Sequence, residues 1–291
     1  MTDILVEAGR LLEAREQFVL ATVVSVRRPA SARRGDRAIV RSDGTLVGWV
    51  GGACSEPAVI REALLALADG EPRLLRICPP GGSAHGGDDI VTAESSCASE
   101  GTVEVLIEPQ LPVPLVAVIG DSPAAEVLRR LVPAIGWRVT PELDERSDAI
   151  VLATMGRGDE DGLEAALAAR AGYVGLVASA RRATVVLERL RERGVDEEAL
   201  ARVRSPAGLD LGPLPQQEIA VAVLAELVAW RHARTSSPAE LLEAIDPVCG
   251  MTVAVGPDTP QAEHEGTTYW FCCPGCRSRF AKNPAAFLAS T

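Results

Sequence analysis

With 291 residues and 47% hydrophobic side chains, the chain can bury at least two cores, and no apolar run reaches the length of a bilayer span. Its formal charge of -11 repels nucleic-acid phosphates and anionic lipid, which sets both aside as partners. Lys282 is the only lysine, and His85, His232 and His264 lie far apart, so a phosphate-loop lysine, Schiff-base chemistry in the main body and a histidine-based hydrolase all lack support.

Residues 3 to 16 carry acids within an amphipathic pattern and read as a helix, not as a secretory signal, which places the protein in the cytoplasm. In that reducing compartment Cys54, Cys78, Cys97, Cys249, Cys272, Cys273 and Cys276 are expected as thiols or metal ligands. FVLATVVSV and RAIVRS read as strands, PAVIREALLALADG as a helix stopped by Gly70, and TVEVLIEP as the strand that closes the first block. The proline-punctuated QLPVPL at 110 to 115 then marks a joint. Beyond it LVAVIG, DAIVLAT and GYVGLVAS read as strands. Helices from Pro123 to Ile135, over DEDGLEAALAARA, over RRATVVLERLRERG and over QQEIAVAVLAELVAWRH alternate with them. Such alternation predicts a parallel sheet covered on both faces. RTSSPAE at 234 to 240 reads as a second joint, LLEAI as a short lead-in helix, and the aromatic, cysteine-rich remainder as a separate module.

Four places in the main body can carry chemistry. In VGWVGGACSEPAVIREA, Gly51 and Gly52 permit positive φ and close backbone approach, and Cys54 and Glu56 precede a helix that Pro57 can open. A thiol there feels the positive helix end; a tight turn holding a small buried cysteine is the plainer alternative. Cys97 sits in a loop before a strand, and PPGGSAHGGDD at 79 to 89 is either a cover over a site or a surface insertion. Gly120-Asp121-Ser122-Pro123 keeps only the first glycine of a dinucleotide fingerprint and adds a carboxylate, which speaks for the fold and against tight NAD binding. In PAGLDLG, Asp210 either orients a ligand or accepts local backbone hydrogens.

In the last segment, Asp246-Pro247-Val248-Cys249-Gly250-Met251 is followed by HEGTTYWFCCPGCRSRF. Glu265-Gly266 is expected to turn a hairpin that delivers Cys272, with Cys276 one helical turn further on the same face. Cys249, Cys272 and Cys276 are the expected ligands, with Cys273 as a substitute and His264 as a fourth, for zinc, copper or iron. So short a segment needs a metal or a disulfide to offset its chain entropy.

VGWVGGACSEPAVIREAL, CASEGTVEVLIEP, GYVGLVASARR and RSPAGLDLG, in this order, resemble the XdhC/CoxI family of accessory proteins that mature xanthine dehydrogenase and carbon monoxide dehydrogenase, and the last segment is similar to YHS domains. The resemblance implies an α/β protein with an N-terminal α+β domain at 1–112, a Rossmann-like parallel-sheet domain at 113–233, a linker at 234–245 and a cysteine-rich YHS metal-binding domain at 246–291. It implies a factor that binds molybdenum cofactor (molybdopterin) and assists its sulfuration and insertion into a molybdenum hydroxylase. Enzyme status stays open, leaning to a non-catalytic assembly chaperone. On this reading Gly51, Gly52, Cys54, Glu56, Cys97, Gly120 and Asp210 are the cofactor-site residues, and Cys249, Cys272, Cys273 and Cys276 the metal ligands. A cysteine desulfurase and a second copy of the chain are the further partners held open. Where family members often carry histidines after the strand DAIVLAT, this chain has Met155-Gly156-Arg157-Gly158-Asp159. The rival readings are an NAD(P)-dependent oxidoreductase and a metal sensor or chaperone acting through the last segment.

Overall fold

The computed structural model describes residues 3–52, 55–79, 81, 90–94, 101–169, 171–235 and 242–288. They fall into two units, Met1–Pro112 with Thr235–Thr291, and Val113–Arg234.

Period-two burial builds the first sheet. The strands β1 (Phe18–Arg27), β2 (Arg37–Arg41), β3 (Leu46–Gly48), β4 (Arg73–Cys78), β5 (Ile90–Glu94) and β6 (Thr102–Gln110) pair in the order β3-β2-β1-β6-β4-β5. Every pairing is antiparallel except β4 with β5. Val19, Ala21 and Val23 of β1 point to one face, where Val59, Ala63, Ala66 and Leu67 of α2 (Glu56–Asp69) complete the core. Phe18 and Leu20 point to the other, against Ala8 and Leu11 of α1 (Ile4–Ala14). Gly70 ends α2 in the left-handed conformation at φ 77.

In the second unit β7 (Leu115–Ile119), β8 (Arg138–Thr140), β9 (Ala149–Leu152), β10 (Tyr173–Leu176) and β11 (Val203–Arg204) form an all-parallel sheet in the order β8-β7-β9-β10-β11. The strands β9 and β10 are buried along their whole length, as a sheet covered on both faces requires. Val116, Val118 and Val151 pack against α3 (Pro123–Ala134) and α7 (Gln216–Thr235). Ala117, Ile150 and Leu152 pack against α4 (Asp159–Ala168), α5 (Ala180–Glu192) and α6 (Glu197–Ala201). The strand order reverses between β7 and β9, the doubly wound arrangement in which ligands favour the crevice at the strands' carboxyl ends.

The C-terminal segment belongs to the first unit. It contains β12 (Glu243–Ile245), β13 (Thr252–Ala254), the hairpin β14 (Gln261–His264) to β15 (Thr267–Trp270), α8 (Pro274–Lys282) and α9 (Ala285–Leu288). Glu265 (φ 51) and Gly266 (φ 76) give the hairpin the two positive-φ residues that a two-residue turn of matching twist needs. The helix expected over LLEAI is not formed: Glu243–Ile245 pairs antiparallel with Thr252–Ala254, because so few residues cannot sustain a helix while a strand partner satisfies their backbone. Leu241 lies outside the described residues. The segment packs on α2, and Arg61 Nε donates to Glu243 at 2.8 Å.

Candidate functional site

The C-terminal thiols converge because one carboxylate ties two distant backbone segments. Asp246 is fully buried. Its Oδ1 accepts Val248 N and its Oδ2 accepts Cys272 N, each at 2.8 Å, while its carbonyl accepts Gly250 N at 2.8 Å. This clamp holds the tight turn bearing Cys249 against the end of the hairpin. Proline at the start of α8 then sets Cys276 one turn beyond Cys272.

Cys272 Sγ lies 3.6 Å from both Cys249 Sγ and Cys276 Sγ. The ligand atoms of Asp246, Cys249, Cys272 and Cys276 all lie within 4.8 Å of one another. Two thiolates bound tetrahedrally at about 2.3 Å from zinc stand about 3.8 Å apart, so the spacing and the donor chemistry both fit a thiophilic metal. The Cys249 thiol is lowered to about 7, its thiolate favoured by the hydrogen bond from Cys272. Cys272 is pushed up in return, and burial pushes Cys276 up. Cys273 is not brought into this group: its sulfur caps α8 by accepting Cys276 N at 3.4 Å. His264 packs edge-on against Phe280.

At the N-terminal candidates the structure gathers three segments on one loop. Gly51 has φ 134, and a Cβ there would press on Ser55 Oγ and lie 3.9 Å from Ala32 Cβ. A Cβ on Gly52 would meet Ser31 Oγ at 3.7 Å, and one on Gly101 would collide with Pro29 O. The loop joining β1 to β2 therefore touches the residues that flank both Cys54 and Cys97, although those two cysteines themselves lie outside the described residues. So does most of the 79 to 89 loop. Arg27, Arg28, Arg33, Arg34 and Arg37 are exposed on and beside this loop, and none has an ion-pair partner among the described residues. Glu56 opens α2, and its half-buried carboxyl is raised by desolvation.

In the second unit Gly120 (φ 112) is required by packing, since a Cβ would collide with Ala153 O. Asp121 pairs with Arg157 at 2.9 Å on the exposed surface. Arg182, at the start of α5, is engaged by Asp159 and by Gly156 O. Asp210 Oδ1 accepts Gly212 N at 3.1 Å, and its loop is anchored where Glu226 accepts Gly208 N at 2.5 Å and the Tyr173 hydroxyl at 2.9 Å.

Three family models match in this order: the XdhC and CoxI family over residues 11–77, the XdhC Rossmann domain over 116–227 and the YHS domain over 244–291. The chain belongs to the XdhC and CoxI family. It carries that family's Rossmann domain and a C-terminal YHS domain. Among curated proteins of Escherichia coli (strain K12), it is 30% identical to the uncharacterized protein YqeB over 79% of this chain and 46% of that protein. It is 24% identical to the molybdenum cofactor insertion chaperone PaoD over 73% of this chain and 83% of that one. The chain thus spans about half the length of YqeB. A solved structure of a xanthine dehydrogenase from Bacillus halodurans is similar at 17% identity and a TM-score of 0.37, covering 82% of this chain and 98% of that one. No described helix is long and apolar enough to cross a membrane.

Within this XdhC and CoxI chain two groups of residues escaped the sequence reading. Asp246 had a signal, an aspartate two residues before a backbone amide in a turn containing proline and glycine. The arginines of the β1 to β2 loop had one too, local basic density in a strongly acidic chain.

Proposed function

We propose that this chain is a maturation factor that binds molybdenum cofactor and assists its sulfuration and insertion into a molybdenum hydroxylase of the xanthine dehydrogenase or carbon monoxide dehydrogenase type. The observation that carries this reading is the cluster of five exposed arginines, Arg27, Arg28, Arg33, Arg34 and Arg37, without ion-pair partners among the described residues, on and beside a loop that approaches the residues flanking Cys54 and Cys97. Molybdopterin bears a phosphate, and in a chain of charge -11 such a cluster is a local reversal of sign suited to an anion. Arginine also holds phosphate bidentately. Gly51 holds a positive φ that a side chain would strain, which keeps the turn before Cys54 tight. Arg33 and Arg34 would hold the phosphate, and the Cys54 and Cys97 thiols would face the molybdenum. Glu56 and Asp210 carry the wrong sign for the phosphate end. When bound, the cofactor supplies the molybdenum centre that receives sulfur; a cysteine desulfurase is the proposed sulfur source.

The test is cofactor co-elution with the purified chain, read as the fluorescence of its oxidised pterin. The Arg33→Ala/Arg34→Ala and Cys54→Ala/Cys97→Ala variants should each retain several-fold less. Undiminished retention in the arginine variant would overturn the anion site, and in the cysteine variant would remove the thiols from it.

For the YHS domain we infer that Cys249, Cys272 and Cys276 hold a thiophilic metal, zinc, copper or iron. The 3.6 Å sulfur spacings support this. Metal analysis of the full chain, with Cys249→Ser and Cys276→Ser expected to abolish retention, tests it.

A further inference from the structure

Where the C-terminal segment packs on α2, the first unit encloses a cavity of about 570 Å³, within the range of small-ligand sites. Ile60 and Leu64 of α2 line one side, and Cys272 and Cys273 the other. Cys272 is thus shared between the cavity wall and the thiol cluster. Cys273, left out of the cluster, also lines this space, its sulfur accepting Cys276 N at the start of α8.

The charge of the wall decides what can enter. Asp43, Glu56 and Asp258 line it, and among the described residues no lysine, arginine or histidine does. Asp43 is occupied, its Oδ1 accepting Thr45 N at 2.9 Å. Glu56 is half-buried and has no hydrogen-bond or ion-pair partner among the described residues. A desolvated, unpartnered carboxylate on the wall of a cavity that also holds thiols attracts a cation and rejects an anionic pterin. Soft sulfur selects a thiophilic one.

We propose that this cavity is the route by which a thiophilic cation reaches and leaves the Cys249, Cys272 and Cys276 cluster, with Cys273 as the transient ligand and Glu56 as the attracting carboxylate. The proposal rests on the metal reading of that cluster. The cation keeps its charge throughout. A bond from the metal to one cluster thiolate breaks as a bond to the Cys273 sulfur forms; Cys273 releases one proton to solvent and the displaced thiolate takes one up.

The experiment loads the full chain with zinc and follows its transfer to a chromophoric chelator, alongside the zinc held at equilibrium. Leu64→Trp, which fills the cavity from α2, should slow transfer at least tenfold while leaving the zinc affinity within about twofold. Glu56→Gln and Cys273→Ser should slow transfer as well. A wild-type chain that retains no zinc would fail the metal reading and the route together. Zinc retention in the wild type with unchanged transfer in Leu64→Trp and Cys273→Ser would overturn the route alone. A Cys273→Ser variant whose affinity drops as far as that of Cys272→Ser would make Cys273 a resident ligand, which also overturns it.

Discussion

Replacing Asp246 by asparagine separates a clamp from a metal ligand. The carboxylate is fully buried and accepts two backbone N–H groups, from Val248 and Cys272, at 2.8 Å each. The amide keeps one acceptor oxygen but sets its own N–H against the other backbone donor. One charge-assisted bond is lost and one buried donor is left unmet, at a cost of about 1.5–3 kcal/mol. In the metal-free full chain, opening of the turn that holds Cys249 to the hairpin should become roughly 10- to 150-fold more frequent. Pulsed alkylation of Cys249, Cys272 and Cys276, read by mass spectrometry, measures this opening. If the three thiols react within about twofold of the wild-type rate while zinc is lost, the carboxylate coordinates metal and the clamp argument is wrong.

Glu226→Gln should destabilise the second unit by about 1–3 kcal/mol in urea titration, since Gly208 N and the Tyr173 hydroxyl both donate to that carboxylate; an unchanged midpoint would contradict this. Phe280→Ala, at a side chain 1% exposed in the core of the C-terminal segment, should cost about 3–5 kcal/mol and release metal from the cluster, with hydrogen exchange over 242–288 as the measurement. Zinc retention should fall as pH drops from 8 to 5, because the thiols must lose protons to bind and acid returns them; equal zinc content after dialysis at both values would argue against thiolate ligands. NAD and NADP should bind poorly, since Gly120 is packed against Ala153 O and Asp121, Ser122 and Pro123 follow it; micromolar affinity by calorimetry would revive an oxidoreductase.

Periodicity alone was enough for the long helices and for several strands, though not for β4 or β5. Alternation in FVLATVVSV and TVEVLIEP, and the apolar runs LVAVI and AIVL, each admit one arrangement of buried faces, and β1, β6, β7 and β9 form there. The spacing of Cys272 and Cys276 and the Glu265-Gly266 turn were equally legible, because one helical turn and a two-residue hairpin are local geometry. Short elements such as β3, β8 and β11 were not, since two or three residues carry no period of their own and are held by their neighbours' hydrogen bonds. Nor could LLEAI reveal itself as strand β12, whose partner is supplied by Thr252–Ala254. The sequence by itself therefore determined the long amphipathic helices, the strands β1, β2, β6, β7, β9 and β10, and the spacing that puts Cys276 one turn beyond Cys272. Only the tertiary structure decided that Asp246 clamps the thiols, that Cys273 caps α8 and stays out of their cluster, and that Pro29, Ser31 and Ala32 of the β1 to β2 loop approach the residues flanking Cys54 and Cys97. The first and last of these join residues distant along the chain, and such pairings are fixed by packing and long-range hydrogen bonds, which leave no periodic trace in the sequence.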